Sequence, residues 1–165
     1  MAWSDEDTKW MRRAIALANE GEVDPGKNAI GCIIVRDGVV IGEGSNEVEL
    51  RHDATAHAEI VSMRRAGQKL KSHELRDAVL YTTLQPCGMC TMASIWAKIG
   101  RIVYGAGRDD VHEMYFEDRH LDTVDFIRDA FREDLSIEGG LMAEECAALY
   151  VPPDAFVPKD EQFNQ

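Results

Sequence analysis

Two short motifs that lie far apart in the chain constrain its fold more than any other feature. They are His57-Ala-Glu59 and Pro86-Cys87-Gly-Met-Cys90. Proline suits the first turn of a helix, so the second motif is expected at a helix start, where Cys87 and Cys90 share one face of the turn. The first motif is expected in the opening turn of another helix. A fold that brings both motifs to one point must therefore set two helix starts side by side.

The side chains of the two motifs suit a metal ion. Helix starts favour thiolate and negative charge, so His57, Cys87 and Cys90 are predicted to bind Zn²⁺. Three protein ligands are one short of a structural zinc site, which leaves a coordination position for water. Zinc lowers the pKa of its water toward about 7, and Glu59 is then the natural proton carrier. This combination predicts a hydrolytic enzyme.

Other interpretations of the same residues exist. His-Ala-Glu alone is typical of a surface helix start, and Cys-x-x-Cys alone occurs in redox sites and structural zinc sites. A four-ligand structural zinc would have to recruit Cys32 or Cys146. Both lie in apolar surroundings and are expected to be buried small hydrophobic residues. The two motifs together favour a catalytic site.

The order of predicted elements indicates an α/β layered domain with a mixed sheet. Residues 4–20 form an amphipathic pattern that ends before Gly21, and Asp37-Gly38 is a strong hairpin signal between two apolar runs. The predicted strands are 30–35, 39–41, 79–84, 101–105 and 135–138. The predicted helices are 4–20, 56–66 with a stop at Gly67, one beginning at Pro86, 123–131 and 143–150.

Length and composition limit the classes of protein to consider. A chain of 165 residues, 45% of them hydrophobic, fits one domain. We expect this domain at residues 1–151 and an irregular C-terminal tail at residues 152–165. The net charge of −12 repels phosphates, so nucleic acid is an unlikely partner, although Arg64-Arg65 could form a local basic patch. We find no signal peptide or membrane-spanning run, and we expect a cytoplasmic protein.

The chain resembles the cytidine-deaminase-like superfamily, and within it the nucleobase deaminases and tRNA adenosine deaminases. The resemblance extends from about Trp10 to Tyr150. It is carried by Arg51-His-Asp-Ala-Thr-Ala-His-Ala-Glu59, Leu80-Tyr-Thr-Thr-Leu-Gln-Pro-Cys-Gly-Met-Cys90, Ile99-Gly-Arg-Ile-Val-Tyr-Gly105 and Glu144-Glu-Cys-Ala-Ala-Leu149. The order His-x-Glu, then Pro-Cys-x-x-Cys, is the zinc deaminase signature.

The resemblance implies a fold and a reaction. The fold is a three-layer α/β/α domain with a central five-stranded mixed sheet, and relatives are usually homodimers. In the reaction, zinc-activated hydroxide attacks an amino-bearing ring carbon, Glu59 carries protons and ammonia leaves.

The resemblance also implies residues that bind the base. Asn46 matches the position that hydrogen-bonds the ring, although an asparagine there could equally cap a turn. Ala58 and Trp96 are assigned to the substrate-binding set, although Trp96 has helical spacing from Met92 and could belong to the core. Ile30 stands where guanine enzymes tend to have an aromatic residue. Phe156 or Phe163 of the tail could close a site, in its own chain or a neighbour's.

The loop after the fourth strand points to one substrate. Its end, Phe116-Glu117-Asp118, is similar to bacterial guanine deaminases, and a carboxylate there could accept from the N1–H of guanine. We assign this role to Asp118, although an acidic run is also typical of a solvated face. The sequence thus predicts deamination of free guanine to xanthine. The alternatives are a cytosine or nucleoside deaminase, a tRNA adenosine-to-inosine deaminase and, last, a zinc-stabilised binding domain without activity.

Overall fold

The computed structural model describes residues 3–21 and 29–165. These residues form a five-stranded sheet in the order β2-β1-β3-β4-β5. β1 runs antiparallel to both β2 and β3, whereas β3, β4 and β5 are parallel to one another, so the sheet is mixed as predicted. The strands are β1 Gly31–Arg36, β2 Val39–Ser45, β3 Val79–Leu84, β4 Arg101–Ala106 and β5 Ser136–Gly139.

Helices cover both faces of the sheet and complete the predicted three-layer α/β/α arrangement. α1 and α6 lie on one face, while α3 and α4 lie on the other with α5 packed against α4. The helices are α1 Asp5–Glu20, α2 Val48–Arg51, α3 Ala58–Leu70, α4 Gly88–Trp96, α5 Thr123–Asp129 and α6 Ala143–Ala147.

Some helix ends differ from the predicted ones for local reasons. The prediction that Gly67 stops α3 is wrong, because the helix continues to Leu70 and is ended by its C-cap Lys71, which is in the left-handed conformation at φ 54°. α6 is shorter than predicted, because Leu149 and Tyr150 donate to carbonyls three residues back instead of four. α2 was not predicted at all, since four residues are too short to show a helical period.

The hairpin between β1 and β2 turns at Asp37 and Gly38, as predicted. Both residues have positive φ, 53° and 70°, as a two-residue type I′ hairpin loop requires. β2 extends beyond the predicted 39–41 through Gly42 and Gly44. A Cβ atom on Gly42 would lie 2.3 Å from the carbonyl oxygen of Ser62, so the glycine allows α3 to lie directly on the strand.

α1 is fixed to the opposite face by a capped start and a buried acid. Ser4 and Asp7 form a reciprocal capping box at its first turn. Asp7 is buried, and its carboxylate accepts hydrogen bonds from Tyr81 at 2.9 Å and Arg101 at 2.7 Å. α1 is thereby tied to the neighbouring strands β3 and β4.

The strand order places one edge of the sheet next to two helix starts. β3 ends at Leu84 and leads directly into the Pro86–Cys90 motif, so the start of α4 lies at the carboxyl end of a parallel strand. This is where α/β sheets commonly bind ligands. Across the described residues, no helix is both long and apolar enough to cross a membrane.

Candidate active site

The two motifs of the sequence meet at the starts of α3 and α4. His57 is the N-cap residue of α3 and Cys87 is the N-cap residue of α4, and neither caps its helix through a side-chain hydrogen bond. The first-turn N–H groups of both helices thus contribute positive potential at the same place. The predicted side-by-side arrangement of two helix starts is confirmed.

His57, Cys87 and Cys90 form a compact cluster of ligand atoms. Their nitrogen and sulfur atoms all lie within 4.8 Å of one another, and Cys87 Sγ is 3.6 Å from His57 Nδ1. Ligands around a tetrahedral zinc stand about 3.5 Å apart, given bond lengths of about 2.0–2.3 Å. The donor set and its spacing therefore fit zinc, with one coordination position left open.

The alternative of a structural four-ligand site lacks a fourth ligand. Among the described residues, no further His, Cys, Asp or Glu joins the cluster. Cys32 and Cys146 are fully buried, as predicted. Cys146 packs against Gly105 on the other face of the sheet, away from α3 and α4.

The charge state of the cluster favours metal binding. Hydrogen bonding from Cys90 and then from His57 lowers the pKa of Cys87 to about 4, which makes it a thiolate at neutral pH. The hydrogen bond to this thiolate raises the pKa of His57 to about 9. A metal binds thiolate and neutral imidazole, so metal binding would displace the proton from His57.

Glu59 stands beside the cluster without belonging to it. Its carboxylate is buried, 3.3 Å from Thr82 Oγ1 and 3.5 Å from Cys90 Sγ. Burial in the first place, and the nearby Cys87 in the second, raise the pKa of Glu59. A carboxyl group with a raised pKa is suited to accept a proton and to return it.

A cavity of about 250 Å³ opens onto the cluster. His57, Glu59 and Cys87 form its floor together with the end of β3. Its other walls come from the loop after β2, the loop after β4 and the C-terminal tail. The other residues that line the cavity are Ile30, Asn46, Val48, Glu49, Ala54, Leu84, Gln85, Met114, Tyr115, Glu117, Phe163 and Asn164.

In the loop after β4, Glu117 lines this cavity, whereas Asp118 is hydrogen-bonded within the loop. The Asp118 carboxylate accepts hydrogen bonds from Arg108 at 2.7 Å and from the Leu121 N–H at 2.9 Å. Glu117 is exposed at the cavity mouth, where desolvation first and the charge of Cys87 second raise the pKa of its carboxyl. The geometry therefore favours Glu117 over Asp118 as the acid that faces a substrate.

Asn46 lines the cavity and also performs the turn role that the sequence allowed. Its Oδ1 accepts the Val48 N–H at 3.1 Å. Within the described residues Nδ2 has no hydrogen-bond partner, so the amide keeps a donor for a ligand. Ala58, the first residue of α3, is buried in the core between His57 and Glu59 and does not line the cavity.

Trp96 lies away from the cavity. The residue is 73% exposed, at a groove of about 480 Å³ between α3 and α4. Residues lining this groove include Ile60, Met63, His73 and Ala97. The structure therefore brings Trp96 neither to the metal cluster nor to the cavity next to it.

Several residues of the site were not predicted from the sequence. Thr82 was detectable, because alternation along β3 places it on the face opposite Tyr81 and so toward α3. Gln85 precedes the second motif, where its amide bonds Asp122 and Thr123. Asn164 had no local signal, since its contacts span about 50 residues of sequence.

An α/β domain with an open three-ligand centre and a buried acid beside it defines a zinc-dependent hydrolase site. Residues 4–106 match the family model of the cytidine and deoxycytidylate deaminase zinc-binding region, and the chain belongs to this family. Its members are hydrolytic zinc deaminases.

Individual relatives differ in substrate. The chain is 36% identical to a tRNA-specific adenosine deaminase of Buchnera aphidicola, over 88% of this chain and 92% of that protein. It is 39% identical to the guanine deaminase of Bacillus subtilis, over 68% of this chain and 72% of that one. A solved structure from a study of A-to-I editing by tRNA:A34 deaminases superposes with a TM-score of 0.72 at 33% identity, covering 86% of this chain and 99% of the other.

Proposed function

We propose that this protein deaminates a free aminopurine, with guanine as the first candidate and xanthine and ammonia as the products. The observation that carries the proposal is the cavity of about 250 Å³ that joins the His57, Cys87 and Cys90 cluster to two carboxylates, Glu59 and Glu117. This volume is below the range of about 300–1,000 Å³ typical of sites for drug-sized ligands. It suits a single heterocycle.

The chain's own residues have separable roles in this reaction. His57, Cys87 and Cys90 hold zinc, which when bound supplies a Lewis acid that makes water a nucleophile at neutral pH. Glu59 would carry two protons in turn, one from the attacking water to the ring nitrogen beside the reacting carbon and one from the resulting hydroxyl to the amino group, which leaves as ammonia. The Thr82 hydroxyl holds the Glu59 carboxylate in place.

Guanine is favoured by the acid at the cavity mouth. Guanine presents N1–H and an amino group around C2, and a carboxylate accepts from both. Adenine and cytosine have no ring N–H beside the reacting carbon and gain less from an acid. Glu117, rather than the predicted Asp118, is the acid that we assign to this contact, while the Asn46 amide donates to an acceptor on the ring.

Adenosine in tRNA is the second candidate, supported by the broad coverage of the tRNA deaminase relatives. The charges near the site count against it. Arg51 and Arg65 both pair with Glu47, Arg64 pairs with Asp53, and Arg108 pairs with Asp118. Arginines engaged in this way are less available for phosphates, on which RNA affinity depends.

An ammonia-release panel tests the proposal. The zinc-loaded protein is assayed with guanine, adenine, cytosine, their nucleosides and a tRNA anticodon stem-loop. We expect the highest kcat/KM with guanine. If only the stem-loop is deaminated, and its kcat/KM depends steeply on salt concentration, the substrate is adenosine in tRNA and not guanine. If none of these compounds releases ammonia, the remaining hypothesis is a zinc-stabilised binding domain without activity.

A matched pair of variants tests the acid at the cavity mouth. Glu117→Gln keeps the size of the side chain but removes the charged acceptor, so we expect guanine kcat/KM to fall by about ten- to a hundredfold. Asp118→Asn weakens the bond to Arg108 and should reduce stability more than turnover. If Asp118→Asn lowers guanine kcat/KM and Glu117→Gln does not, Asp118 is the acid that contacts the base.

We propose one domain at residues 1–151 with a tail at 152–165, a homodimer, and a cytoplasmic location. Sedimentation velocity of the purified protein tests the homodimer. A single species at the monomer mass of 18.5 kDa would contradict it.

A further inference from the structure

The C-terminal tail, residues 152–165, is attached at both ends to one turn of the active-site loop. Just before the tail, the carbonyl of Val151 accepts the His112 N–H at 2.8 Å, and the Val151 N–H donates to the Tyr115 hydroxyl at 3.1 Å. At the far end, Asn164 Nδ2 donates to the carbonyl oxygens of Glu113 and Phe116, at 3.1 and 2.9 Å. The tail thus leaves this turn and returns to it.

The second carbonyl that Asn164 binds belongs to the peptide preceding Glu117. This peptide determines where the Glu117 side chain begins. A hydrogen bond to its oxygen limits rotation of the peptide, so Asn164 restrains the backbone that carries the acid at the cavity mouth.

Phe163 connects the tail to the core through a row of aromatic rings. Its ring centroid lies 5.8 Å from that of Tyr115, which lies 5.2 Å from that of Tyr150. The Tyr150 hydroxyl is 2.6 Å from Thr83 Oγ1 in β3. Phe163 therefore has a defined position relative to the sheet.

Phe163 also lies at the rim of the cavity. It lines the cavity, yet the residue is 43% exposed, so Phe163 meets both the ligand space and solvent. A group attached to a bound base and directed outward would have to pass this rim. Phe156, in the same tail, is 91% exposed and does not line the cavity.

We propose that Phe163 and Asn164 are specificity-determining residues: Phe163 is a rim wall that admits a free base and excludes its nucleoside, and Asn164 fixes the turn that presents Glu117. This inference rests on the proposed function for the identity of the base. The rim and the turn themselves are properties of the fold. Removing Phe163 should therefore relax selectivity for the free base, and removing Asn164 should weaken recognition of the guanine ring, without removing the zinc ligands or Glu59.

The experiment compares full-length Phe163→Ala, Asn164→Ala and the control Phe156→Ala, each loaded with zinc. The ratio of kcat/KM for guanine to kcat/KM for guanosine should fall about tenfold or more in Phe163→Ala and stay unchanged in the control. Asn164→Ala should instead lower kcat/KM for both compounds, because both carry the N1–H that Glu117 accepts. Hydrogen exchange of amides 113–117 should accelerate in Asn164→Ala. Zinc removal by 1,10-phenanthroline, which reaches the metal through the cavity, should accelerate in Phe163→Ala.

The outcomes separate this inference from the proposed function. If the wild type deaminates guanine but Phe163→Ala keeps the wild-type ratio, the rim wall is wrong and the proposed function stands. If the wild type deaminates neither compound, the proposed function fails, and the phenanthroline rates decide about the rim. Equal rates of zinc removal in Phe163→Ala and the wild type then overturn the role of Phe163 as a rim wall. Unchanged exchange at 113–117 in Asn164→Ala overturns the role of Asn164.

Discussion

Thr82 Oγ1 lies 3.3 Å from Oε1 of Glu59, and both side chains are buried at the contact between β3 and α3. A strand hydroxyl thus holds the acid that we assign to proton transfer. Glu59 Oε2 has its own neighbour in Cys90 Sγ, at 3.5 Å. The carboxylate is therefore oriented by the sheet on one side and lies against the metal cluster on the other.

Thr82→Val should slow turnover and leave zinc bound. Valine has nearly the same shape but no hydroxyl, so Glu59 loses a hydrogen bond, which for a charged acceptor corresponds to about tenfold or more in kcat. Thr82→Ser keeps the hydroxyl and should retain most of the activity. Steady-state kinetics and zinc stoichiometry test this, and wild-type kcat in Thr82→Val would remove Thr82 from the site.

Glu59→Gln should abolish turnover without loss of metal. The side chain is not one of the three ligands, so zinc content should stay at one per chain, while loss of the proton carrier should lower kcat by about 10²–10⁴-fold. Glu144→Gln, at an exposed acid on α6, is the control and should behave as wild type. Full activity in Glu59→Gln would contradict the assignment.

Gly42→Ala should loosen the helix that carries His57 and Glu59. The new Cβ would meet the Ser62 oxygen at 2.3 Å and the Ala66 nitrogen at 2.9 Å, both backbone atoms of α3. We expect a loss of about 1–3 kcal/mol in unfolding free energy, measured by urea denaturation, and weaker zinc affinity. Gly100→Ala meets its nearest atom at 3.5 Å and should change stability by less than about 0.5 kcal/mol. Equal stability of the two variants would exclude the close approach of α3 to β2.

Asp7→Asn should reduce stability in a pH-dependent way. Burial raises the pKa of Asp7, but hydrogen bonds from Ser4, Arg101 and Tyr81 outweigh it, and the net pKa lies below its ordinary value of 3.8. Because the folded-state pKa is depressed, the stabilisation is complete above pH 3.8 and disappears as the pH falls through the folded-state value.

The measurement is urea denaturation of wild type and variant at pH 7 and near pH 3. The difference should be about 2–4 kcal/mol at pH 7 and smaller at low pH. Asp5→Asn, at an exposed acid in the same turn, should cost no more than about 1 kcal/mol. A pH-independent difference in Asp7→Asn would show that the charge of Asp7 contributes nothing.

Trp96→Ala should leave catalysis unaffected, because Trp96 lines the groove between α3 and α4 and not the cavity. We expect kcat/KM within about twofold of wild type. Asn46→Ala is the comparison, with KM raised about tenfold through loss of one amide contact. If Trp96→Ala lowers kcat/KM more than Asn46→Ala does, Trp96 is a substrate-binding residue, as predicted from the sequence.

The metal chemistry and much of the sheet were predictable because they depend on local pattern. β3 was predicted with its correct bounds, since a β-rich run followed by proline marks both ends. The cluster of His57, Cys87 and Cys90 followed from ligand type and helix position. β2 was predicted too short, because Gly42 and Gly44 weaken a strand signal although they are what lets α3 pack on it.

The choice between Glu117 and Asp118 could not be made from sequence. Adjacent residues in a loop without regular period can face opposite directions, and here a partner ten residues away decides. Arg108 also stacks on Phe116 at 4.5 Å, so one guanidinium holds both neighbours of Glu117. Such long-range contacts leave no trace in the local pattern.

The return of the tail to the active-site turn has a practical consequence for handling the protein. Since Asn164 is hydrogen-bonded to Glu113 and Phe116, any polypeptide joined after Gln165 would start beside the cavity mouth. An affinity tag or reporter fused there would compete with substrate for the same space. A loss of activity caused by a tag joined after Gln165 would itself report on the packing of the tail against this turn.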